Sequence, residues 1–253
     1  VLNATYLAAY ALGSLAVLGA AIFWARRLRG KPMPLAALFG LGMSASNSAL
    51  IGYPIVSQVL GPPAAVALAL TMLVENLLML PLALALADSG AESGPRGWKN
   101  ALQQVLQGLL KNPMIVAIVA GFSCSLFDLA VPAVPARAVQ IVATAASPVS
   151  LFVIGGSLVG LHLEGLRLDL ARVALGKLVA HPLAVFGALW LLPPVDPVLH
   201  VAAVAFAGMP MLSMYPVLAQ KYHHEGFCAA ALLVTTMLSF LTISALLWLL
   251  QHP

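Results

Sequence analysis

The feature that most restricts this chain is a series of apolar runs, each about 20 residues or longer, the length of helix that crosses the hydrocarbon core of a bilayer. The runs lack the polar and apolar alternation of membrane β-strands. Charged residues make up only 8% of the chain, whereas soluble domains have about 25%. We therefore predict an all-α polytopic membrane protein with eight membrane-spanning helices, at residues 4–25, 34–59, 64–87, 113–131, 138–161, 171–193, 198–220 and 228–250.

The basic residues orient these predicted helices. Of the 12 Lys and Arg residues, only Arg137 falls on the side opposite the others, and Lys177 falls inside a span. Because cytoplasmic loops carry an excess of Lys and Arg, we predict that the basic loops are cytoplasmic and that both chain ends lie outside. The net charge of +4 is then a topology signal, and no nucleic-acid partner is expected.

Two halves of the chain repeat each other. Residues 53–58 read YPIVSQ and residues 215–220 read YPVLAQ, and each is followed by the triplet TML, at 71–73 and 236–238. In the predicted topology the second span runs outward and the seventh runs inward, so the two copies are antiparallel. Inverted repeats with paired interruptions are typical of secondary transporters whose site lies near the bilayer midplane.

Both copies contain residues that disfavour a helix interior. A single proline usually only shapes a membrane helix, but matching antiparallel breaks favour a binding site, because unwound backbone in a membrane must be buried or line a wet cavity. Half-helix ends meeting there would present N–H groups to an anion. The predicted helix-break residues are Gly52, Pro54, Gly208 and Pro216. The predicted substrate-binding residues are Ser46, Asn47, Ser48, Pro210, Met211 and Ser213.

Ionisable residues inside the spans are candidates for proton or ion coupling. Glu75, beside Asn76, lies near the middle of the third span, where a carboxylate costs about 2.5–3.5 kcal/mol. It either couples transport or is a protonated, hydrogen-bonded packing residue. His181 is either a satisfied packing residue or a proton relay. Lys177 is expected to extend to the cytoplasmic interface rather than bind an anion. The sequence shows no metal-ligand or nucleophile spacing, so we expect no metal, cofactor or enzymatic activity.

Several stretches carry a family resemblance. SNSALIGYPIV, KNPMIVAIVAGF, SPVSLFVIGGSLVG and MPMLSMYPVLAQKY occur in this order, followed by AAALLVTTMLSFLTIS. The chain thus resembles the auxin efflux carrier family, which includes bacterial malonate- and malate-type permeases and the plant PIN-formed auxin carriers. The resemblance covers essentially the whole chain. It implies ten helices in two inverted repeats of five, of which eight are expected here, with the first two absent from an N-terminally truncated chain.

The resemblance also implies a domain plan. Residues 1–87 correspond to helices three to five of the first repeat, residues 88–112 to a cytoplasmic linker, 113–161 to scaffold helices six and seven, and 162–253 to helices eight to ten. Helices three to five and eight to ten would form the transport domain. Ser46-Asn47 keeps the asparagine but not the proline of the family's first crossing. Pro210-Met211 matches the second crossing, with Met211 where plant members have a polar residue, which argues against auxin. Tyr10 aligns loosely with an aspartate of the plant carriers.

The resemblance implies a secondary active transporter of small organic anions, such as mono- or dicarboxylates, working by elevator-like alternating access. It would lie in a bacterial inner membrane, be coupled to protons or sodium, and form a homodimer at full length. The alternative is a channel or a substrate-sensing membrane subunit that uses the same crossing, which a test for saturable flux would separate from a transporter.

Overall fold

The computed structural model describes residues 3–89, 120–121, 123–124, 127, 129, 131–157 and 167–251. Every regular element of six or more residues in these ranges is a helix, which confirms the all-α prediction. Most of the predicted linker 88–112, most of the span 113–131 and the end of the span 138–161 lie outside the described residues. The inverted repeat, the helix count and the division into domains therefore remain predictions.

The first half of the described chain contains five helices. They are α1 (Ala4–Phe23), α2 (Met33–Ser44), α3 (Tyr53–Leu60), α4 (Pro63–Leu73) and α5 (Leu80–Ser89). Wider π-helical turns lie between or after them, at Trp24–Leu28, Ser48–Gly52 and Val74–Met79. Such turns in an α-helix are often found at functional sites.

The second half contains six helices in the residues described. They are α6 (Ala133–Ser157), α7 (Arg167–Leu175), α8 (His181–Leu191), α9 (Pro197–Ala207), α10 (Tyr215–Gln220) and α11 (Glu225–Gln251). A π-helical turn at Gly176–Ala180 joins α7 to α8.

Four helical segments in the described part of the chain are long and apolar enough to cross a membrane. They are Ala4–Leu28, Pro63–Ser89, Leu168–Leu191 and Glu225–Leu246. The predicted spans 34–59 and 198–220 are each divided into two shorter helices. This combination confirms a multi-pass membrane protein.

The interruptions lie before the prolines of the two YP motifs. The first covers residues 45–47 and the second residues 208–214. Pro54 and Pro216 instead stand in the first turns of α3 and α10, where a proline ring is tolerated. Gly208 ends α9, whereas Gly52 serves close packing, because a Cβ there would meet Phe206 Cδ1 at 2.9 Å. Of the predicted break residues, only Gly208 lies in an interruption, whereas Gly52, Pro54 and Pro216 lie in the helical segments that follow.

Helix α1 is central to the packing of the described helices. It packs against α2 and α8, while α9 packs against α4 and α10 against α11. The approach of α1 to α8 is close because Gly13 has no side chain: a Cβ at Gly13 would meet the Cα and N atoms of Val185 at 2.7 Å. The two halves of the chain therefore share one core.

Ion pairs connect the segments on the predicted cytoplasmic side. The buried carboxylate of Asp169 contacts Arg29 at 3.1 Å and Lys31 at 3.0 Å, which ties α7 to the chain between α1 and α2. Asp88 at the end of α5 accepts from Lys221 at 2.6 Å and from the Tyr222 hydroxyl at 2.8 Å. Burial and the nearby Asp88 raise the pKa of Tyr222, so its hydroxyl keeps its proton and remains a donor.

Substitution of Gly13 by Ala should destabilise the protein, because the new methyl group would meet backbone atoms of α8 that cannot rotate away. We expect a loss of about 1–3 kcal/mol, the usual cost of overpacking. Thermal unfolding of the purified protein in detergent measures the effect.

Gly19→Ala is the matched control on the same helix, since a Cβ at Gly19 has nothing within 4 Å. Alanine favours a helix over glycine by roughly 0.5–1 kcal/mol, so this variant should melt at or slightly above the wild-type temperature. Equal melting temperatures for the two variants would contradict the close packing of α1 on α8.

Candidate functional site

The two interruptions meet at the centre of the described helices. Ser46 and Met211 pair as an isolated antiparallel β-bridge, and the Asn47 N–H donates to the Pro210 carbonyl at 2.7 Å. Unwound backbone inside a membrane needs such partners, because an unsatisfied polar group in hydrocarbon costs several kcal/mol. The structure thus brings Ser46-Asn47 and Pro210-Met211 into direct contact, and Ser48 and Ser213 are next to them.

Asn47 connects the two interruptions through its side chain. Its Oδ1 accepts from the Leu50 N–H at 3.3 Å, which caps the half-helix that begins at Ser48. Its Nδ2 donates to Ser213 Oγ at 2.6 Å. An asparagine suits this position because an amide offers an acceptor and donors at once.

A cavity of about 90 Å³ opens beside the crossing, several times the ~10–15 Å³ that one water molecule needs. Its polar lining residues are Ser46, Asn47, Ser48, Glu75, Asn76 and Ser213. Its apolar lining includes Met72, Leu80, Leu212 and Met214. Pro210 and Met211 do not line it, and Met211 is fully buried, so these two residues hold the crossing together rather than face the cavity.

The carboxyl group of Glu75 is held from three directions. Its Oε1 accepts from the Tyr10 hydroxyl at 2.9 Å, the Ser46 N–H at 3.0 Å and the Ser48 hydroxyl at 3.0 Å. The neighbouring Asn76 donates to Met72 O of its own helix at 3.0 Å. Glu75 therefore touches both α1 and the first interruption while also lining the cavity.

Lys177 lies inside the protein, so the expectation that it extends to the cytoplasmic interface is wrong. The residue is 0% exposed, and its Nζ donates to Ser46 Oγ at 2.7 Å and to the Ala207 carbonyl at 2.7 Å. Ala207 is the last residue of α9, so its carbonyl has no partner within the helix and lies at the negative end of the helix dipole. This carbonyl provides a hydrogen-bond acceptor for the ammonium group inside the protein, and the sequence around Lys177 does not reveal it.

His181 completes the polar interior. Its Nδ1 lies 2.8 Å from Lys177 Nζ and its Nε2 lies 2.9 Å from Ser14 Oγ. Nδ1 also lies 3.1 Å from the Ala207 carbonyl, so it accepts from Lys177 in one tautomer and donates to Ala207 in the other, and the Ser14 hydroxyl complements either form. His181 is thus a satisfied buried residue, and it also extends the hydrogen-bonded chain that begins at Glu75.

Ser46 is the link between the two buried ionisable groups. Its N–H donates to Glu75 and its hydroxyl accepts from Lys177, so a single residue of the interruption contacts both. Buried ionisable groups are costly unless hydrogen bonds satisfy them, and here both groups have several. The carboxyl group of Glu75 therefore lines the cavity, and the amine of Lys177 lies behind Ser46.

The polar face of α1 was not predicted from the sequence. Tyr6, Tyr10 and Ser14 recur every four residues and so lie on one side of the helix. Tyr6 pairs with Thr71 at 2.7 Å, Tyr10 with Glu75 and Ser14 with His181. The spacing of hydroxyl residues in an otherwise apolar helix was the signal that could have revealed this face.

The fold and the site define a class: a polytopic helical membrane protein whose two interrupted helices cross beside a polar cavity, an arrangement used by transporters. Residues 3–248 match the family described as "Membrane transport protein". The chain therefore belongs to this family, the auxin efflux carrier family that its motifs resemble. A protein of Rhizobium meliloti (strain 1021) with the name "Putative malonate transporter" is 28% identical over 225 residues, which is 88% of this chain and 70% of the relative.

Replacement of Lys177 by Met should destabilise the protein, because it removes the amine and leaves Glu75 buried without a cation. Lys177 and Glu75 are not in direct contact, so we expect about 1–3 kcal/mol, the cost of leaving buried hydrogen-bonding groups without a partner. Adding Glu75→Gln should recover roughly half of the loss, since the two effects are coupled. Unfolding of the single and double variants in detergent measures this coupling.

Lys221→Met is the matched control, because Lys221 also pairs with a carboxylate but has a side chain that is 66% exposed. Exposed pairs contribute about 0–1 kcal/mol, so this variant should unfold almost like the wild type. If the Lys177 and Glu75 substitutions were simply additive, the electrostatic link through Ser46 would be refuted.

Proposed function

We propose that this protein is a secondary active transporter of small organic anions, mono- or dicarboxylates of about the size of malonate, and that the anion binds in the cavity beside the crossing. The observation that carries the proposal is the contact between the two interrupted helices, Ser46 to Met211, next to a polar cavity of about 90 Å³. Membership of a membrane transport family supports transport as the activity.

The first half-helix end supplies donors for an anion. Ser48 and Ala49 line the cavity in the first turn of the helix that continues to Leu60, where N–H groups have no partner within the helix. The positive end of the helix dipole points the same way. The hydroxyls of Ser48 and Ser213 add polar contacts at the same wall.

The buried amine makes the site tolerant of negative charge. Two like charges about 4 Å apart repel by about 4 kcal/mol at an effective dielectric constant of 20. Without Lys177, an ionised Glu75 would give the cavity wall a negative charge, which would repel a bound anion. Lys177 supplies the compensating positive charge, although Ser46 separates its amine from the cavity.

The size and lining of the cavity support a small substrate. The volume suits a compact carboxylate, and Met72, Leu80 and Leu212 provide apolar contacts for a short carbon chain. The relative from Rhizobium meliloti, with its malonate name, supports a dicarboxylate of this kind as the first substrate to test.

The proposed cycle moves the crossing between the two membrane faces in an elevator-like manner. It would be driven by a proton or sodium gradient in a homodimer of the full-length protein. The proposed setting is a bacterial inner membrane with the basic loops in the cytoplasm. The pairing of cytoplasmic-side segments through Asp88 and Asp169 supports a transport unit whose halves move together.

Asn47→Ala should reduce malonate uptake into proteoliposomes by at least about tenfold, a loss of about 1.4 kcal/mol. The variant removes the link to Ser213 and the cap of the half-helix that faces the anion. Initial rates at several malonate concentrations measure the effect and also show whether flux saturates.

Ser57→Ala is the control, because Ser57 lies on the continuing half-helix and bonds only to the nearby Pro54 carbonyl among the contacts described. Its uptake should stay near the wild-type rate. Wild-type uptake by Asn47→Ala would exclude the crossing as the binding site, and flux that rises linearly with concentration would favour a channel.

A further inference from the structure

The two oxygens of the Glu75 carboxyl group have different surroundings. Oε1 receives all three hydrogen bonds, from Tyr10, Ser46 and Ser48. Oε2 receives none from any described residue, although Glu75 lines the cavity and is 7% exposed. The protein therefore holds Oε1, whereas Oε2 can form a hydrogen bond with a ligand in the cavity.

The groups around Glu75 determine the net charge of the site. Tyr10 approaches from α1, while Lys177 and His181 lie beyond Ser46 on the turn before α8 and on α8 itself. Within the described part of the chain, Lys177 is the charged side chain that acts on Glu75, and the other groups are hydroxyls, an amide and an imidazole. An ionised Glu75 and Lys177 together leave the site with no net charge.

We propose that Glu75 Oε2 and a carboxylate oxygen of the bound anion share one proton, so that anion and proton enter the site together. The proposal rests on the proposed function, namely that a carboxylate binds in this cavity. The proton comes from solvent: it adds to the pair formed by Glu75 and the substrate, no covalent bond breaks, and it returns to solvent when the anion leaves.

The bound states with and without the shared proton differ in electrostatic free energy. Without the proton, two neighbouring carboxylates repel each other, and the repulsion is stronger in a buried site than in water. With the proton, the contact becomes a short charge-assisted O–H···O⁻ bond, which is among the stronger hydrogen bonds in proteins. Neighbouring carboxyl groups generally retain one proton for this reason. Lys177 then balances the charge of the anion instead of that of Glu75.

The same geometry favours a proton over a sodium ion. A sodium ion at Glu75 would need several oxygens pointing their lone pairs at it. Here the Ser46 contact with Glu75 is an N–H group, which cannot bind a cation, and the Ser46 hydroxyl oxygen already accepts from Lys177. The nearby ammonium group of Lys177 would also repel a second cation.

Calorimetric titration of the purified full chain with malonate tests the proposal. Repeating it in buffers of different ionisation enthalpy gives the number of protons taken up. We expect about one proton per bound anion. Because protons are taken up on binding, the apparent affinity should fall as pH rises, about tenfold per pH unit where free Glu75 is ionised.

Glu75→Gln should bring proton uptake to about zero and remove this pH dependence, since an amide donates to the anion without titrating. Glu225→Gln is the matched control: it makes the same chemical change at an exposed residue at the start of α11 and should keep the wild-type uptake. Replacing sodium by a large organic cation should leave malonate affinity unchanged.

The outcomes separate the two proposals. Malonate binding by the wild type without proton uptake would overturn the shared proton and leave the anion site intact. Proton uptake that persists in Glu75→Gln would overturn the assignment to Glu75. Absence of binding for malonate and for other small carboxylates would overturn the proposed function, and the shared proton with it.

Discussion

The contact between two unwound backbone segments is the interaction on which the rest of this structure depends. A helix that stops inside a membrane leaves polar groups without partners, and the surrounding lipid offers none. Residues 45–47 and 208–214 resolve this by pairing with each other, and the side chain of Asn47 fixes their alignment. Each interruption is stable only because the other is present, so the cavity belongs to the pair and to neither helix alone.

The buried polar residues follow from this contact. The end of α9 presents its last carbonyls to the interior, and Lys177 donates to one of them. Ser46 then brings the amine and Glu75 to the same backbone segment. Lys177 and Glu75 each bond to one backbone group that helix interruption has released, the Ala207 carbonyl and the Ser46 N–H, which helps to explain how a lysine and a glutamate coexist in a chain with only 8% charged residues.

Hydrophobic runs were sufficient to predict the four long membrane-spanning helices of the described residues, since span length depends on bilayer thickness rather than on tertiary contacts. The exact positions of the interruptions were harder to predict, because a proline occurs in the first turn of a helix as readily as after its end. Pro54 and Pro216 both stand in first turns. The direction of Lys177 could not be predicted from its neighbours in sequence. Its hydrogen-bond partners, Ser46 and Ala207, are distant in the sequence. Only the packed structure shows that the amine finds hydrogen-bond acceptors inside the protein.

The polar face of α1 has a consequence for motion. Through Tyr6, Tyr10 and Ser14 this helix holds groups from three other segments, and Gly13 lets its backbone touch α8. Displacing α1 relative to the segments that surround the crossing would break several buried hydrogen bonds at once, each worth roughly 1 kcal/mol or more. Any large movement of the crossing therefore carries α1 along as part of one rigid body, and sliding surfaces must be sought on the outer sides of this unit.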